Sequence, residues 1–271
     1  MKRLIVNADD FGRSHSINQA VVQAHRHGIL TTASLMVNEP GADDAIAAAR
    51  NHPSLGVGLH LVVAVGKSAL DQQKIPRLVD AQKNFSNNPV GAGLKYFFSA
   101  PAKRQLEDEI GRQFEKFQAS GLVLDHVNGH LNMHLHPTVL DILMRNAERW
   151  GVKHFRLTCD PLCLNFQLAR GRWAYRISHW LIYRLLAAHA RPILRRQGIA
   201  HTQSVFGLLQ SGRVDENFLG GLLGRLPEGD YELYSHPSLD EFKHELDALI
   251  SPRMASLIKE RGIKLIRYQD L

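Results

Sequence analysis

Between His126 and His136 the stretch HVNGHLNMHLH places His126, Asn128, His130, Asn132, His134 and His136 at even positions, with Val127, Gly129, Leu131, Met133 and Leu135 between them. In an extended segment this period of two puts every polar side chain on one face. Neutral imidazole is a common ligand for Zn²⁺ and other transition metals, and a site with an open position needs about three protein ligands. A second candidate lies in RLIVNADDFG, where Leu4, Ile5 and Val6 run into Asp9 and Asp10. Two carboxylates ending a buried strand are either solvated or hold something positive. The plain alternative is that one of them caps the helix beginning near Ser16. His60 in GVGLHLVV, Arg156 in HFRL and His236 in YELYSHPS close further apolar runs. Asp10, His60 and His130 would offer one carboxylate and two imidazoles from three strands. Water on a metal held there is a nucleophile at neutral pH once a base takes its proton. Adjacent strand residues point to opposite faces, so Asp9 is expected to point away from Asp10 and to act as that base, with His236 protonating the leaving group.

These residues need a scaffold that brings strand ends together. Strands are expected at Arg3–Asn7, Thr32–Val37, Gly56–Val63, Leu122–Val127, His154–Thr158, Thr202–Leu208, Asp230–Tyr234 and Ile263–Tyr268. Helical patterns at Ile17–His27, Ala42–Asn51, Ala102–Ala119 and Thr138–Trp150 lie between them. Strands separated by helices argue for a parallel α/β sheet, because parallel neighbours require a crossover. The fold class expected is a TIM-like (β/α) barrel, complete or with one strand missing, with a doubly wound open sheet as the alternative. In a barrel the C-terminal strand ends converge on one mouth. The histidine alternation is too long for one barrel strand, so its second half is expected in the following loop, and Pro137 opens the next helix.

The 271 residues, 44% hydrophobic, contain no low-complexity linker, and one domain over residues 1–271 is expected. Cys159 and Cys163 are too few for a disulfide framework. With the first strand starting at residue 3 and no long apolar run, a cytoplasmic protein is expected. The net charge of +7 is uneven: Pro161–Val214 holds eight arginines and no acid, which leaves −1 for the rest. Within it, residues 169–198 read as a basic helical insertion, one helix or two broken near Pro192, with Trp173, Ile177, Leu181 and Leu185 four apart. Aromatics, aliphatics and arginines without acids match a helix in a membrane interface. Packing of that helix on the barrel or on a second subunit is the alternative. Nucleic acid is not an expected partner, since no recognised binding motif accompanies the charge.

Taken together, NADDFG, TASLMVN, GLHL, H-x-N-x-H followed by HLHP, and the late HP resemble the YdjC-like carbohydrate deacetylases from Lys2 to Leu271. DHVN with HLHP, FGLLQSGRVD and LPEGDYELYSHP are most similar to the branch associated with hopanoid biosynthesis (HpnK type). The resemblance implies a TIM-like barrel and metal-dependent removal of acetyl groups from N-acetylated amino sugars. It matches the metal ligands to Asp10, His60 and His130, the base to Asp9 and the late histidine to His236. The branch implies an N-acetylglucosaminyl group on a hopanoid lipid, a glycolipid that suits a cytoplasmic enzyme peripheral on the inner membrane face. It also implies a homodimer. Two positions depart from the family: Asn128 where many members have Asp, and Asn132 where a histidine is usual. One divalent ion is expected, Zn²⁺ suiting the Asp/His₂ set best, with Mg²⁺, Mn²⁺, Co²⁺ or Ni²⁺ as alternatives. Asn38, His126, Asn128, His134 and Arg156 are assigned to substrate binding or to support of the ligands; Arg156 would either pair with Asp9 or form an ordinary salt bridge with some other acid, and a turn-forming role before Glu39-Pro40 is the alternative for Asn38. Rival readings are a deacetylase of soluble chito-oligosaccharides, another metal-dependent amide or phosphate hydrolase, and a non-catalytic lipid-binding protein of membrane surfaces.

Overall fold

The computed structural model describes residues 1–271. In chain order the elements are β1 (Lys2–Phe11), α1 (His15–His27), β2 (Thr32–Leu35), α2 (Ala42–Arg50), β3 (Gly56–Leu61), α3 (Pro89–Phe98), α4 (Ala100–Ala119) and β4 (Leu124–Gly129). A 3-10 turn at His130–Leu135 leads into α5 (Pro137–Arg145), α6 (Leu162–Leu168) and α7 (Trp173–Arg196). β5 (Ser204–Phe206), α8 (Glu216–Arg225), β6 (Gly229–Ser235), α9 (Lys243–Ile250), α10 (Pro252–Glu260) and β7 (Ile263–Leu265) complete the chain, before a last 3-10 turn at Tyr268–Asp270.

All strand pairings are parallel, in the order β4-β3-β2-β1-β6-β5, with β7 beside the first residues of β1. This is an incomplete TIM-like barrel. The strand expected at His154–Thr158 is present only as isolated bridges, Val127 to Phe155 and His154 to Ala200. Beyond Cys159 a side chain, not a strand, receives the next amides. Val205 N still donates to Cys159 O at 3.2 Å, but Gly207 N and Leu209 N donate to Asp160 Oδ2, at 3.3 and 3.0 Å.

Local chemistry sets the helix starts. Ser14 caps α1, its Oγ accepting from Ile17 N at 3.3 Å, so neither Asp9 nor Asp10 serves as that cap. Asn88 caps α3 ahead of Pro89, and Pro137 opens α5 as expected. The basic stretch does not break near Pro192. α7 runs through this exposed proline, and the interruption falls at Ala169–Arg172, where Gly171 (φ 80°) and Arg172 (φ 50°) turn left-handed. No helix is long and apolar enough to cross a membrane.

Barrel interiors are usually filled with branched apolar side chains. Here Asn7, Thr32, Ser34, His126, Asn128, Arg156 and Glu232 are all at most 1% exposed. They are tied to one another: Thr32 Oγ1 donates to Asn7 Oδ1 (2.8 Å), Asn7 Nδ2 to Ser34 Oγ (2.9 Å), and Ser34 Oγ lies 2.9 Å from His126 Nε2. Buried polar groups persist only when so satisfied. Gly58 is required by this filling, because a Cβ there would lie 2.5 Å from the His126 ring.

Candidate metal centre

The pairing of β1 with β2 shifts register between Ala8 and Phe11, and Asp10 sits at φ 63°. A left-handed non-glycine residue costs about 1–2 kcal/mol and is tolerated where function requires it. The bulge overturns the expected opposite facing of the two aspartates. Asp9 Oδ1 lies 4.0 Å from His60 Nδ1, and Asp10 Oδ1 lies 3.3 Å from His60 Nε2, so both carboxylates approach the same ring. β4 delivers His130, whose Nδ1 is 3.0 Å from Asp10 Oδ1. The donor atoms of Asp10, His60 and His130 all lie within 4.8 Å of one another, and all three residues are buried. Arg13 Nη1 donates to the other Asp10 oxygen at 2.7 Å.

His60 Nδ1 is 2.7 Å from Asn128 Oδ1, whose Nδ2 donates to Ser34 Oγ (2.8 Å) and Asp9 Oδ1 (3.3 Å). The Asn128 amide also fits reversed, its nitrogen toward His60 and its oxygen accepting from Arg156 Nη1 and Nη2 at 3.1 and 3.0 Å. In the first orientation Nδ1–H donates to Asn128 and Nε2 faces an Asp10 oxygen at 3.3 Å; in the reversed one Nε2 carries the proton and donates to that oxygen. An oxygen and two imidazole nitrogens, with room for further ligands, fit a divalent metal such as Zn²⁺.

Arg156, fully buried, grips Asp9 with both terminal nitrogens, Nη1 to Oδ2 at 2.7 Å and Nη2 to Oδ1 at 2.8 Å. The same guanidinium donates to Glu232 Oε1 from Nε (2.9 Å) and Nη2 (2.6 Å) and lies 4.3 Å from the Tyr234 ring centre. Tyr268 donates to the other Glu232 oxygen. Burial alone would raise Asp9, yet Arg156 and His60 outweigh it and hold the carboxyl well below the usual range. The Asp9–Arg156 pair is therefore present.

The histidine alternation holds only along β4. Leu131 and Asn132 adopt φ 53° and 54°, so the segment coils after His130 instead of staying extended. His134 points behind the site, Nε2 3.0 Å from Arg156 O, and burial with the Arg156 charge pulls it down to about 3. His126 lies deeper, between Ser34 and Asp125 (Nδ1 to Oδ2 2.9 Å) and stacked on Tyr268. Asn132 accepts from Thr158 Oγ1 at 2.8 Å and lines the cavity. Asn38 Nδ2 donates to Lys67 O at 3.2 Å, and Asn38 is not part of the cavity wall. His236 lines the same cavity, positioned by buried Glu245, which accepts from its backbone N at 2.5 Å. Glu232 and Tyr234 were missed as site residues, although Glu232, Tyr234 and His236 recur every second residue and so share one face of β6.

Asp9, His60, His130, Tyr234 and His236 form the floor of a cavity of about 660 Å³. Its walls come from α3 (Val90, Leu94, Phe97, Phe98) and α7 (Tyr175, His179, Ile182, Tyr183, Leu186). Tyr183 donates to Leu131 O at 2.9 Å and so pins α7 over the turn that carries His130.

The sequence profile of the family described as YdjC-like protein matches residues 3–260. A carbohydrate deacetylase of Brevibacillus brevis is 41% identical over 150 residues, 55% of this chain and 57% of that protein. One from Clostridium beijerinckii is 32% identical over 99% of this chain and 100% of the relative. A chitooligosaccharide deacetylase of Serratia marcescens is 28% identical over 100% and 99% of the two chains. Among solved structures, one from Enterococcus faecalis V583, provisionally described as a cellobiose-phosphate cleavage protein, shares the fold. Its TM-score is 0.75 and its identity 22%, over 99% of this chain and 98% of that one.

Proposed function

The chain belongs to the YdjC-like family, and from that premise we propose that it is a metal-dependent carbohydrate N-deacetylase, releasing acetate and a free amino sugar. The observation that carries this reading is the buried convergence of Asp10, His60 and His130 beside Asp9. Those three residues would hold one divalent ion, with Zn²⁺ suiting the set best. When bound, such an ion polarises a carbonyl and lowers the pKa of water. Asp9, ionised against Arg156, accepts the proton of the attacking water. Arg156 fixes the plane of that carboxylate, with Glu232 and Tyr268 holding the guanidinium from behind. Asn128 fixes the His60 ring. His236, lining the same cavity, donates the proton that lets the amine depart.

The substrate is an N-acetylglucosaminyl group carried on a lipid, of the hopanoid type that the motifs of the branch imply. The apolar α3 and α7 walls support a substrate with an apolar portion beyond the sugar. A soluble chito-oligosaccharide is the second reading, favoured by the name of the Serratia relative. The deciding experiment measures acetate released from both substrates by metal-stripped protein, Zn²⁺-reloaded protein and Asp9→Asn. Metal- and Asp9-dependent release from the lipid supports the full reading, and release from soluble sugar alone keeps the chemistry and discards the lipid. No release from either, with metal bound, overturns the deacetylase.

A further inference from the structure

The basic stretch singled out in the sequence is only half of a larger surface. α3, which sequence reading did not anticipate, stands across the cavity mouth from α7. Both helices turn apolar side chains outward. Val90, Phe98 and Leu185 are 72%, 77% and 64% exposed, and Leu94, Ile177 and Leu181 are about half exposed. Exposed apolar rows of this kind on both sides of a cavity mark a contact site. The charges around it are of one sign. Residues 89–106, which contain α3, carry Lys95, Lys103 and Arg104 and no acid, and Pro161–Val214, which contains α7, carries eight arginines and no acid. Along α7 the apolar row from Trp173 to Leu185 is bracketed by Arg170 and Arg172 on one side and Arg191, Arg195 and Arg196 on the other.

We infer that α3 and α7 together form a docking surface for an anionic lipid bilayer, with the cavity mouth between them turned toward the membrane. An apolar strip seats in the acyl–headgroup boundary while flanking arginines meet anionic headgroups. A second copy of the chain is disfavoured on this face, because apposing two acid-free surfaces sets like charges together. The inference does not rest on the deacetylase reading, since membrane binding needs no turnover. It specifies how a lipid-borne substrate would reach the floor of the cavity.

The test is sedimentation of the full-length protein with vesicles of phosphatidylcholine alone or mixed with phosphatidylglycerol. The expected result is partition onto the phosphatidylglycerol vesicles, weakened by salt. Leu181→Glu with Leu185→Glu should weaken that partition at least about tenfold, and Arg195→Gln with Arg196→Gln should reduce it and flatten its salt dependence. Neither pair lines the cavity, so both should leave the circular dichroism melt and acetate release from chito-oligosaccharides at wild-type levels. Absence of vesicle partition overturns the inference. So does partition that both variants leave unchanged, or a dimer in sedimentation velocity that Leu181→Glu with Leu185→Glu dissociates without any vesicle binding.

Discussion

Arg156→Met removes the guanidinium that Asp9 and Glu232 share. Four charge-assisted contacts of 2.6–2.9 Å vanish, and two buried carboxylates face each other's surroundings without that cation. Breaking a buried ion pair from one side costs about 3–5 kcal/mol, because the other charge stays buried. Against a total stability of roughly 5–15 kcal/mol for a typical domain, that is a large share. Glu232→Gln alone should cost about 1–2 kcal/mol, since Tyr268 keeps an acceptor and the Asp9–Arg156 pair survives. In the Glu232→Gln background, Arg156→Met strands one carboxylate and not two, so its cost should fall by at least about 1.5 kcal/mol. Sites that do not interact add within about 0.3–0.5 kcal/mol. Urea denaturation of wild type, both single variants and the double variant at neutral pH measures the coupling. In the same proteins kcat should fall about 100-fold with Arg156→Met while metal content holds, because Asp9 loses its fixed plane. Additive costs, or wild-type kcat in Arg156→Met, would refute the coupled network.

Asn128→Ala frees the His60 ring and should weaken zinc binding by about 10- to 100-fold in a chelator competition titration, with the fold intact. Asp160 is pushed up to about 7 by burial, which outweighs the amides of Leu209 and Gly207. Its folded pKa lies above its unfolded one, so its contribution to stability is fully present below about pH 4 and is lost as pH rises through about 7. Asp160→Asn removes this loss, worth up to roughly 4 kcal/mol, so its stability relative to wild type in urea melts should rise from pH 4 to pH 8. A pH-independent difference would contradict the assignment. His60→Ala and His130→Ala should each lose the bound metal in elemental analysis of the purified protein, whereas His134→Ala, which faces Arg156 O behind the site, should retain it.

The strand–helix alternation carried the parallel sheet, and polar residues at strand ends carried Asp10, His60 and His130, because both signals are periodic and local. What escaped reading is backbone geometry. Nothing in NADDFG marks Asp10 as left-handed, yet that φ of 63° turns both aspartates toward His60. Leu131 and Asn132 likewise break an alternation that looks uniform in sequence. α3 was not anticipated: Gly91 and Gly93 are poor helix formers, whereas the Asn88 cap and the packing of Tyr96, whose hydroxyl donates to Val63 O at 2.6 Å, make it a helix. The strand expected at His154–Thr158 is reduced to isolated bridges, and just beyond it Asp160 takes the amides of Gly207 and Leu209, a tertiary contact that no local pattern encodes. Glu232 was legible and missed: the same period of two that revealed the β4 histidines also links Glu232 to His236.

The central claim is that Asp10, His60 and His130 hold one metal while Asp9, beside them, takes the proton. Its most direct measurement is acetate release by Asp9→Asn loaded with one equivalent of Zn²⁺, against wild type loaded identically. The account expects equal metal retention and turnover lower by about 100- to 10,000-fold. Turnover within tenfold of wild type, or loss of the metal along with the activity, would contradict it.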